Sequence, residues 1–296
     1  MEEPNGVYEI RPRKLPNALI DFKKAASIFQ VLELGLSTQK GIIVTSWTQE
    51  IEAFLNWYIQ KHNWDKILIR TDKRHESGKY MRGGYLVNQE EIIGEIVRIL
   101  ELERIVLVLE PANRYNNLYG INIRILQAPD PVTLEIVGPG FDVSDLNRGD
   151  ISPHETIKLG VFNEQVTNKI LERAIVDDST YKHSISLRLE KLGKDLVVRN
   201  MININGELNT EAYVQIASQY LNNNNHNLLL LNPSYQKLPM NLMRKITCFI
   251  KDLSWELPFS ISTREFVIST SILGSVDKPR FIFWDIVDPS QKYHIN

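Results

Sequence analysis

The sequence predicts an α+β protein with mixed or antiparallel sheets. Segments with a helical apolar period alternate with short β-branched runs, and several neighbouring strands are joined by connections too short for a parallel crossover. No repeat at a period of about 20–50 residues runs through the chain.

In order, residues 21–34 put Phe22, Ala25, Ala26, Phe29 and Leu32 on one helical face, with Gly35 as a stop. Residues 41–45, GIIVT, form a short strand. Ser46 with Gln49 has capping-box spacing and opens a helix whose face is Ile51, Phe54, Leu55, Tyr58 and Ile59. Residues 66–70, KILIR, are the next strand, and 71–84 read as a long loop or loose hairpin outside the core, being polar and glycine-bearing. Asn88 with Glu91 caps a helix that carries Ile92, Ile93, Ile96, Val97 and Leu100 and ends near 102. Strands follow at 105–110, 119–127 and 132–137. In the second, Ile121, Ile123 and Ile125 alternate with Asn122 and Arg124, as on a sheet with one wet face. The stretch 138–149, GPGFDVSDLNRG, is either a surface turn or a phosphate-proximal loop.

Beyond it the spacing predicts a helix around 163–174 and a strand at 183–191, where Ile185, Leu187 and Leu189 alternate with polar residues. A helix from 210 to about 221, an asparagine-rich loop tip at 222–225, a strand at 228–231, a helix over 242–253 and strands at 261–269 and 280–286 complete the chain. The expected divisions are an N-terminal lobe over 1–104, central strands with the Gly-rich loop over 105–160 and a C-terminal α+β lobe over 161–296.

Composition narrows the functional classes. The 34 basic and 36 acidic side chains leave a formal net charge of −2, which argues against an extended nucleic-acid-binding face. With 43% hydrophobic residues over 296 positions, folding hides roughly 75% of the chain's surface and needs no disulfide or metal framework. The single cysteine, Cys248, fits a reducing compartment. The first residues are acidic where an export leader is basic, and the most apolar runs, 105–109 and 228–231, fall far short of the ~20 residues that span a bilayer. A cytoplasmic protein without a membrane segment is expected.

The nucleotide loops G-x-x-x-x-G-K-[ST] and G-x-G-x-x-G, the zinc motif H-E-x-x-H and the hydrolase motif G-x-S-x-G are all absent. The six histidines are scattered without metal-ligand spacing. What remains is an ordered series. Lys24 stands at a helix start, Arg70 at a strand end, Glu110 and Glu135 on later strands, Gly138, Gly140 and Gly149 in one loop, and Glu265 and Asp285 on the last two strands. Early cations and late carboxylates suit a nucleoside-triphosphate site where Lys and Arg hold phosphate oxygens and carboxylates hold Mg²⁺. Lys24 also reads as a solvated helix residue, and Arg70 as a strand-end ion pair.

The stretches KKAASIFQVLELGLSTQKGIIVTSWTQEIEAFL and ILIRTDKRHESGKY resemble the opening of an ATP-grasp nucleotide-binding domain, that of the phosphoenolpyruvate synthase, pyruvate phosphate dikinase and rifampicin phosphotransferase type. That family opens with a Gly-Gly-Lys-Ala helix, a Gly-x-x-hydrophobic-Thr strand, a helix and a Val-Arg-Ser-Ser strand end. Lys24, GIIVT and Arg70 fall in the same order. IVLVLEP, YGINIRI and VTLEIVGPGFDVSDLNRGDISPHE resemble its later strands and Gly-rich loop, so the similarity covers about residues 20–160, with a weaker echo at 258–288.

The resemblance implies a two-lobed ATP-grasp-like domain that binds ATP and Mg²⁺ and transfers a phosphoryl group. Lys24 and Arg70 would contact the triphosphate, Glu110, Glu135, Gly138 and Gly140 would lie by the nucleotide, and Glu265 with Asp285 would hold the metal, Lys24, Arg70 and Glu265 being the catalytic set. The departures are specific. The family's Asp-x-Glu reads Thr263-Arg264-Glu265 here, its Leu-Gln-x-Arg reads Phe283-Trp284-Asp285-Ile286, and the Gly-Gly before its first Lys is Phe22-Lys23. No phosphohistidine module or substrate barrel is present, so the phospho-acceptor would be a separate protein. The alternative is a catalytically degenerate nucleotide-sensing or scaffold subunit that binds a partner protein, and a third reading is a plain interaction protein.

Four further features have structural readings. Phe54, Trp57, Tyr58 and Trp64 suit a core or a partner contact more than a base-stacking platform. The mixed-charge segment 73–82 suits a solvated loop, though a phosphate-covering lid has the same composition. Asp142, Asp145 and Asp150 suit turns, and Cys248 a buried, inert thiol.

Overall fold

The computed structural model describes residues 2–74, 85–111, 117–126, 130–138, 141, 143–147, 149–163, 165–192, 235–256 and 266–287. Contacts divide the chain into two units, Met1–Ala112 with Phe283–Asn296, and Asn113–Ile282.

The first unit is built on a five-stranded sheet in the order β1-β2-β5-β3-β4, with every pair antiparallel. Its strands are β1 (Val7–Glu9), β2 (Gly41–Val44), β3 (Lys66–Lys73), β4 (Tyr85–Asn88) and β5 (Arg104–Leu109). Strand alternation sorts the two faces. Ile42, Val44, Ile67, Ile69, Val106 and Val108 join the apolar residues of α2 (Gln49–His62) and α3 (Ile92–Leu100). Ile43, Leu68, Ile105, Leu107 and Leu109 face α1 (Lys23–Glu33) through Ala25, Ile28, Phe29 and Leu32. The expected boundary at 104 falls at the start of β5, the strand that lies between β2 and β3, so the first unit extends past it.

Two local expectations change. The cap of α2 is Thr48, whose side chain accepts the Ile51 N–H at 3.2 Å, in place of Ser46. β3 also runs on to Lys73, where Thr71 and Asp72, expected in a loop or loose hairpin outside the core, pair with Val106 and Ile105 of β5 and are buried. Asn88 and Glu91 do meet, at 3.1 Å between side chains, across a short 3₁₀ turn before α3.

A six-stranded sheet in the order β11-β10-β6-β7-β8-β9 belongs to the second unit, except that β11 passes into the first unit at Phe283. Its strands are β6 (Asn117–Ile125), β7 (Val132–Val137), β8 (Glu155–Phe162), β9 (Gln165–Ile175), β10 (Phe266–Gly274) and β11 (Pro279–Val287), with helices α4 (Val143–Asn147), α5 (Asp178–Leu192) and α6 (Met240–Glu256). The pairs β10–β6, β6–β7, β7–β8 and β8–β9 are antiparallel. The chain is therefore α+β with two antiparallel sheets.

Here the sequence expectation inverts two elements. Residues 163–174, expected as a helix, are β9. Asn163 takes a left-handed turn, φ 48°, that sends the chain back along β8 as a hairpin. Val166, Ile170 and Ala174 stand four apart in the sequence, which imitates a 3.6-residue period, while the strand itself pairs with β8 through two register shifts. Residues 183–191, expected as a strand, lie in α5. The Asp177 carboxylate accepts the Thr180 N–H at 2.8 Å and the Ser179 hydroxyl at 2.6 Å, a helix-start signal stronger than the alternation that follows it. Among its described side chains Tyr181, Ser184 and Ile185 are buried.

The expected features at 210–221, 222–225 and 228–231 lie outside the described residues, as do 261–265 of the strand that appears as β10. Cys248 is exposed, since α6 turns Leu242, Met243, Ile246, Thr247 and Ile250 inward and leaves the thiol on its outer side. Among the described residues no helix is long and apolar enough to cross a membrane.

Candidate functional site

The residues proposed to hold a triphosphate meet first at the start of α1. Its N-cap residue, Phe22, has no side chain that can accept a hydrogen bond, so the first turn needs an acceptor from elsewhere. Asp72 of β3 supplies it: Oδ2 accepts the backbone N–H groups of Lys24 at 2.7 Å and Ala25 at 3.2 Å. Lys24 is only 7% exposed, which removes the solvated-helix reading, and its ammonium donates to the Thr71 carbonyl at 2.5 Å. Burial pushes the Asp72 carboxyl up from the usual aspartate range, opposed by the Ala25 N–H, the Lys24 charge and the Lys24 and Lys73 N–H groups. Among the described residues, Asp72 Oδ1 has no hydrogen-bond partner although the residue is 1% exposed.

Arg70 lies two positions before Asp72. By strand alternation Leu68, Arg70 and Asp72 point to the α1 side of the sheet, and Leu68 packs in the α1 cluster. Lys24 and Arg70 therefore share one side of the first unit. Arg70 is half-buried and faces Leu107 in the β5 pairing, inside β3 and not at its end. Arg74, just past β3, pairs with Asp21 at 3.5 Å and lies over the Phe22 ring, 5.7 Å from its centroid.

Glu110 is not with them. Leu109 faces Leu68 in the β3–β5 register, so Glu110 lies three positions, about 10 Å of strand, from the residue opposite Arg70. Its backbone accepts from Gln39 Nε2 at 2.9 Å and donates to the Lys40 carbonyl at 2.8 Å. Its charge bears on Tyr58 and His62. Burial is the main cause that raises the Tyr58 phenol, with Glu9, Glu110 and Glu3 adding to it; burial also lowers His62, helped by Lys61 and Lys40.

In the second unit Glu135, on β7, is ion-paired with Arg124 of β6 at 3.0 Å. Gly138 follows β7 and donates its N–H to His154 Nδ1 at 3.0 Å. A Cβ there would meet the Tyr235 ring at 3.0 Å and the Tyr181 hydroxyl at 3.3 Å, so close approach accounts for this glycine. Gly140 and Glu265 lie outside the described residues, and Asp285 is described as a backbone position on β11 only. Asp142 is outside them as well, while Asp145 is buried in α4. Among the described residues no group of three His, Cys, Asp or Glu side chains is placed to hold a metal ion.

A polar cluster that the sequence did not single out surrounds Gly138. His154 is fully buried, with its ring centroid 4.6 Å from that of Phe141, 4.8 Å from Tyr181 and 5.8 Å from Tyr235. Nδ1 accepts from Gly138, which puts the proton of the neutral ring on Nε2, and burial pushes the imidazole down to about 4. Beside it Glu155, 1% exposed, accepts Arg173 Nε at 2.5 Å, the Tyr235 hydroxyl at 2.7 Å and the Leu238 N–H at 2.8 Å. Arg173 also donates to the Leu238 carbonyl at 2.8 Å. The available sequence signal was the pair of adjacent ionisable residues, His154 and Glu155, at the start of an apolar strand.

No protein-family model matches the chain, and no curated protein sequence matches it. Among solved structures, D-alanyl-alanine synthetase A from Vibrio cholerae O1 biovar eltor str. N16961 is similar, with a TM-score of 0.41 and 8% sequence identity over 93% of this chain and 58% of that one. The chain thus spans under two thirds of that synthetase. A likeness of this degree assigns neither family nor activity, and the synthetase is not one of the phosphotransferases that the first half of the sequence resembles.

Proposed function

We propose that this chain is an ATP-grasp-like nucleotide-binding protein that moves a phosphoryl group from ATP to a separate acceptor, working in the cytoplasm. The observation that carries it is the placement of Lys24 and Arg70 on one side of the first sheet, around the capped start of α1. A triphosphate suits that place. Arg70 offers a planar fork of donors and Lys24 offers a point charge. In the transfer, the bond from the β–γ bridging oxygen to the γ-phosphorus breaks, a bond from that phosphorus to the acceptor forms, and ADP leaves.

The metal part of the proposal rests on Glu265 and Asp285, the carboxylates that the sequence resemblance supplies. The described residues add no donor set of their own for Mg²⁺, and no step is derived through it. The phosphoenolpyruvate synthase type of activity likewise rests on the resemblance, as do Glu110, Glu135, Gly138 and Gly140 as nucleotide neighbours.

Calorimetry with MgATP tests the site. Arg70→Ala should weaken binding about 10- to 100-fold, since one charged hydrogen bond contributes roughly 1.5–3 kcal/mol. Unchanged heats in the variant would remove Arg70 from the site.

A second reading, a nucleotide-binding subunit without turnover, is favoured by one set of contacts. Lys24 is held by Thr71, Glu135 by Arg124, and the Gly138 N–H by His154. Thermal stabilisation by ATP with no ADP released over hours selects that reading, because a ligand that binds only the native state raises stability whether or not it reacts.

A further inference from the structure

The first unit also contains a cleft of about 480 Å³, within the size range of small-molecule sites and formed by different residues from the Lys24 region. One wall is α2, with Trp57 and Tyr58; the other is the chain's first strand and the residues before it, with Glu2, Glu3 and Glu9. The indole of Trp57 is partly buried, packed on one side against the core. The site thus combines an aromatic wall with a carboxylate wall, which is the chemistry that recognises organic cations.

The protein fills this place with its own cations. Lys61 Nζ lies 4.8 Å from the Trp57 ring centroid, and Arg11 lies 2.9 Å from Glu3 and 3.7 Å from Glu9. Neither is firmly held. Lys61 is exposed, the Arg11 side chain is 57% exposed, and pairs of that exposure contribute little to stability. Arg13 also pairs with Glu3, at 2.9 Å, so Glu3 is already neutralised, and Glu9, 3.7 Å from Arg11, is the more loosely paired of the two.

We propose that this cleft binds a quaternary or alkyl ammonium group, which takes the place of the Lys61 ammonium on Trp57 and is held by Glu9. Lys61 is then an internal competitor. Its removal should tighten binding, an effect that a merely structural lysine does not produce.

The test is a titration of the full chain with tetramethylammonium at fixed ionic strength, followed by the indole N–H resonance of Trp57 in NMR. The expected result is saturable binding, tightened at least threefold by Lys61→Ala, weakened at least threefold by Glu9→Gln and lost in Trp57→Leu. The neutral isostere 3,3-dimethyl-1-butanol should leave the resonance in place. Equal binding of that alcohol, or no tightening in Lys61→Ala, overturns the proposal, and neither surface variant depends on the fate of Trp57→Leu. Choline compared with a trimethyl-lysine peptide then separates a free amine from a protein tail as the source. ATP binding is measured independently, so either assignment can fail without the other.

Discussion

Both units bury a carboxylate, and they satisfy it differently. In the second unit Glu155 has partners on both oxygens: Arg173 on one, Tyr235 and the Leu238 N–H on the other. In the first, Asp72 uses one oxygen for two N–H groups at the start of α1, and its other oxygen has no hydrogen-bond partner among the described residues. A buried charge with both oxygens paired fixes one arrangement, because any movement exposes an unpaired group. A partly used one can exchange partners at lower cost. The difference marks the Glu155 cluster as architecture, whereas the Asp72–Lys24 contact lies where the proposed triphosphate site would be.

The comparison breaks most visibly at Glu155. Glu155→Ala leaves Arg173 without its carboxylate and two further donors unpaired, so a loss of about 3–5 kcal/mol is expected in urea unfolding. A loss below about 1 kcal/mol would show that the cluster does not hold the second unit together.

His154 gives that unit a pH dependence of known sign. Its imidazole is lowered from 6.5 to about 4, so between those values the unfolded chain binds a proton that the folded chain does not. Stability therefore rises with pH across that window and is fully present above about pH 6.5, a swing of roughly 3 kcal/mol at most. Unfolding measured at pH 5 and pH 7 should show about 2 kcal/mol of this swing in the wild type and much less in His154→Gln, which retains an acceptor for Gly138. Equal slopes in the two proteins would contradict the buried neutral ring. Asp72 has the opposite sign: its raised pKa opposes stability as pH climbs above the unfolded aspartate value.

A smaller loss is expected in the first unit. Asp72→Ala removes the acceptor for two helix N–H groups and should cost about 1–3 kcal/mol, with Asp72→Asn recovering part of it through the amide oxygen. A full loss in the asparagine variant would assign the effect to the Lys24 charge and not to the cap. The smallest change belongs to an exposed pair, Lys158 and Glu172, 2.6 Å apart with side chains 41% and 56% exposed. Lys158→Ala should stay within about 0.5 kcal/mol of wild type in the same unfolding measurement.

The elements of the first unit were legible where residues of one type faced one way. Phe29 and Leu32 on α1, Ile51, Phe54, Leu55, Tyr58 and Ile59 on α2, and the β-branched runs of β2 and β5 each bury the face that their spacing assigns. β9 and α5 were inverted because a bulged edge strand acquires a helical spacing and a helix with a short buried face carries an accidental alternation. Of the candidate site, the nearness of Lys24 to the Arg70 strand was foreshadowed by their order alone. Asp72 was missed, since a carboxylate after a strand looks like the first residue of a loop until its helix is in place.

The sequence by itself determined the α+β class and most helix faces of the first unit, because periodicity is a local sum over neighbouring residues. Only the tertiary structure decided which charges are satisfied. Whether a carboxylate meets the open end of a helix 48 residues earlier, or an arginine from the next strand, depends on strand register and burial, and those are fixed by the packing of the whole unit.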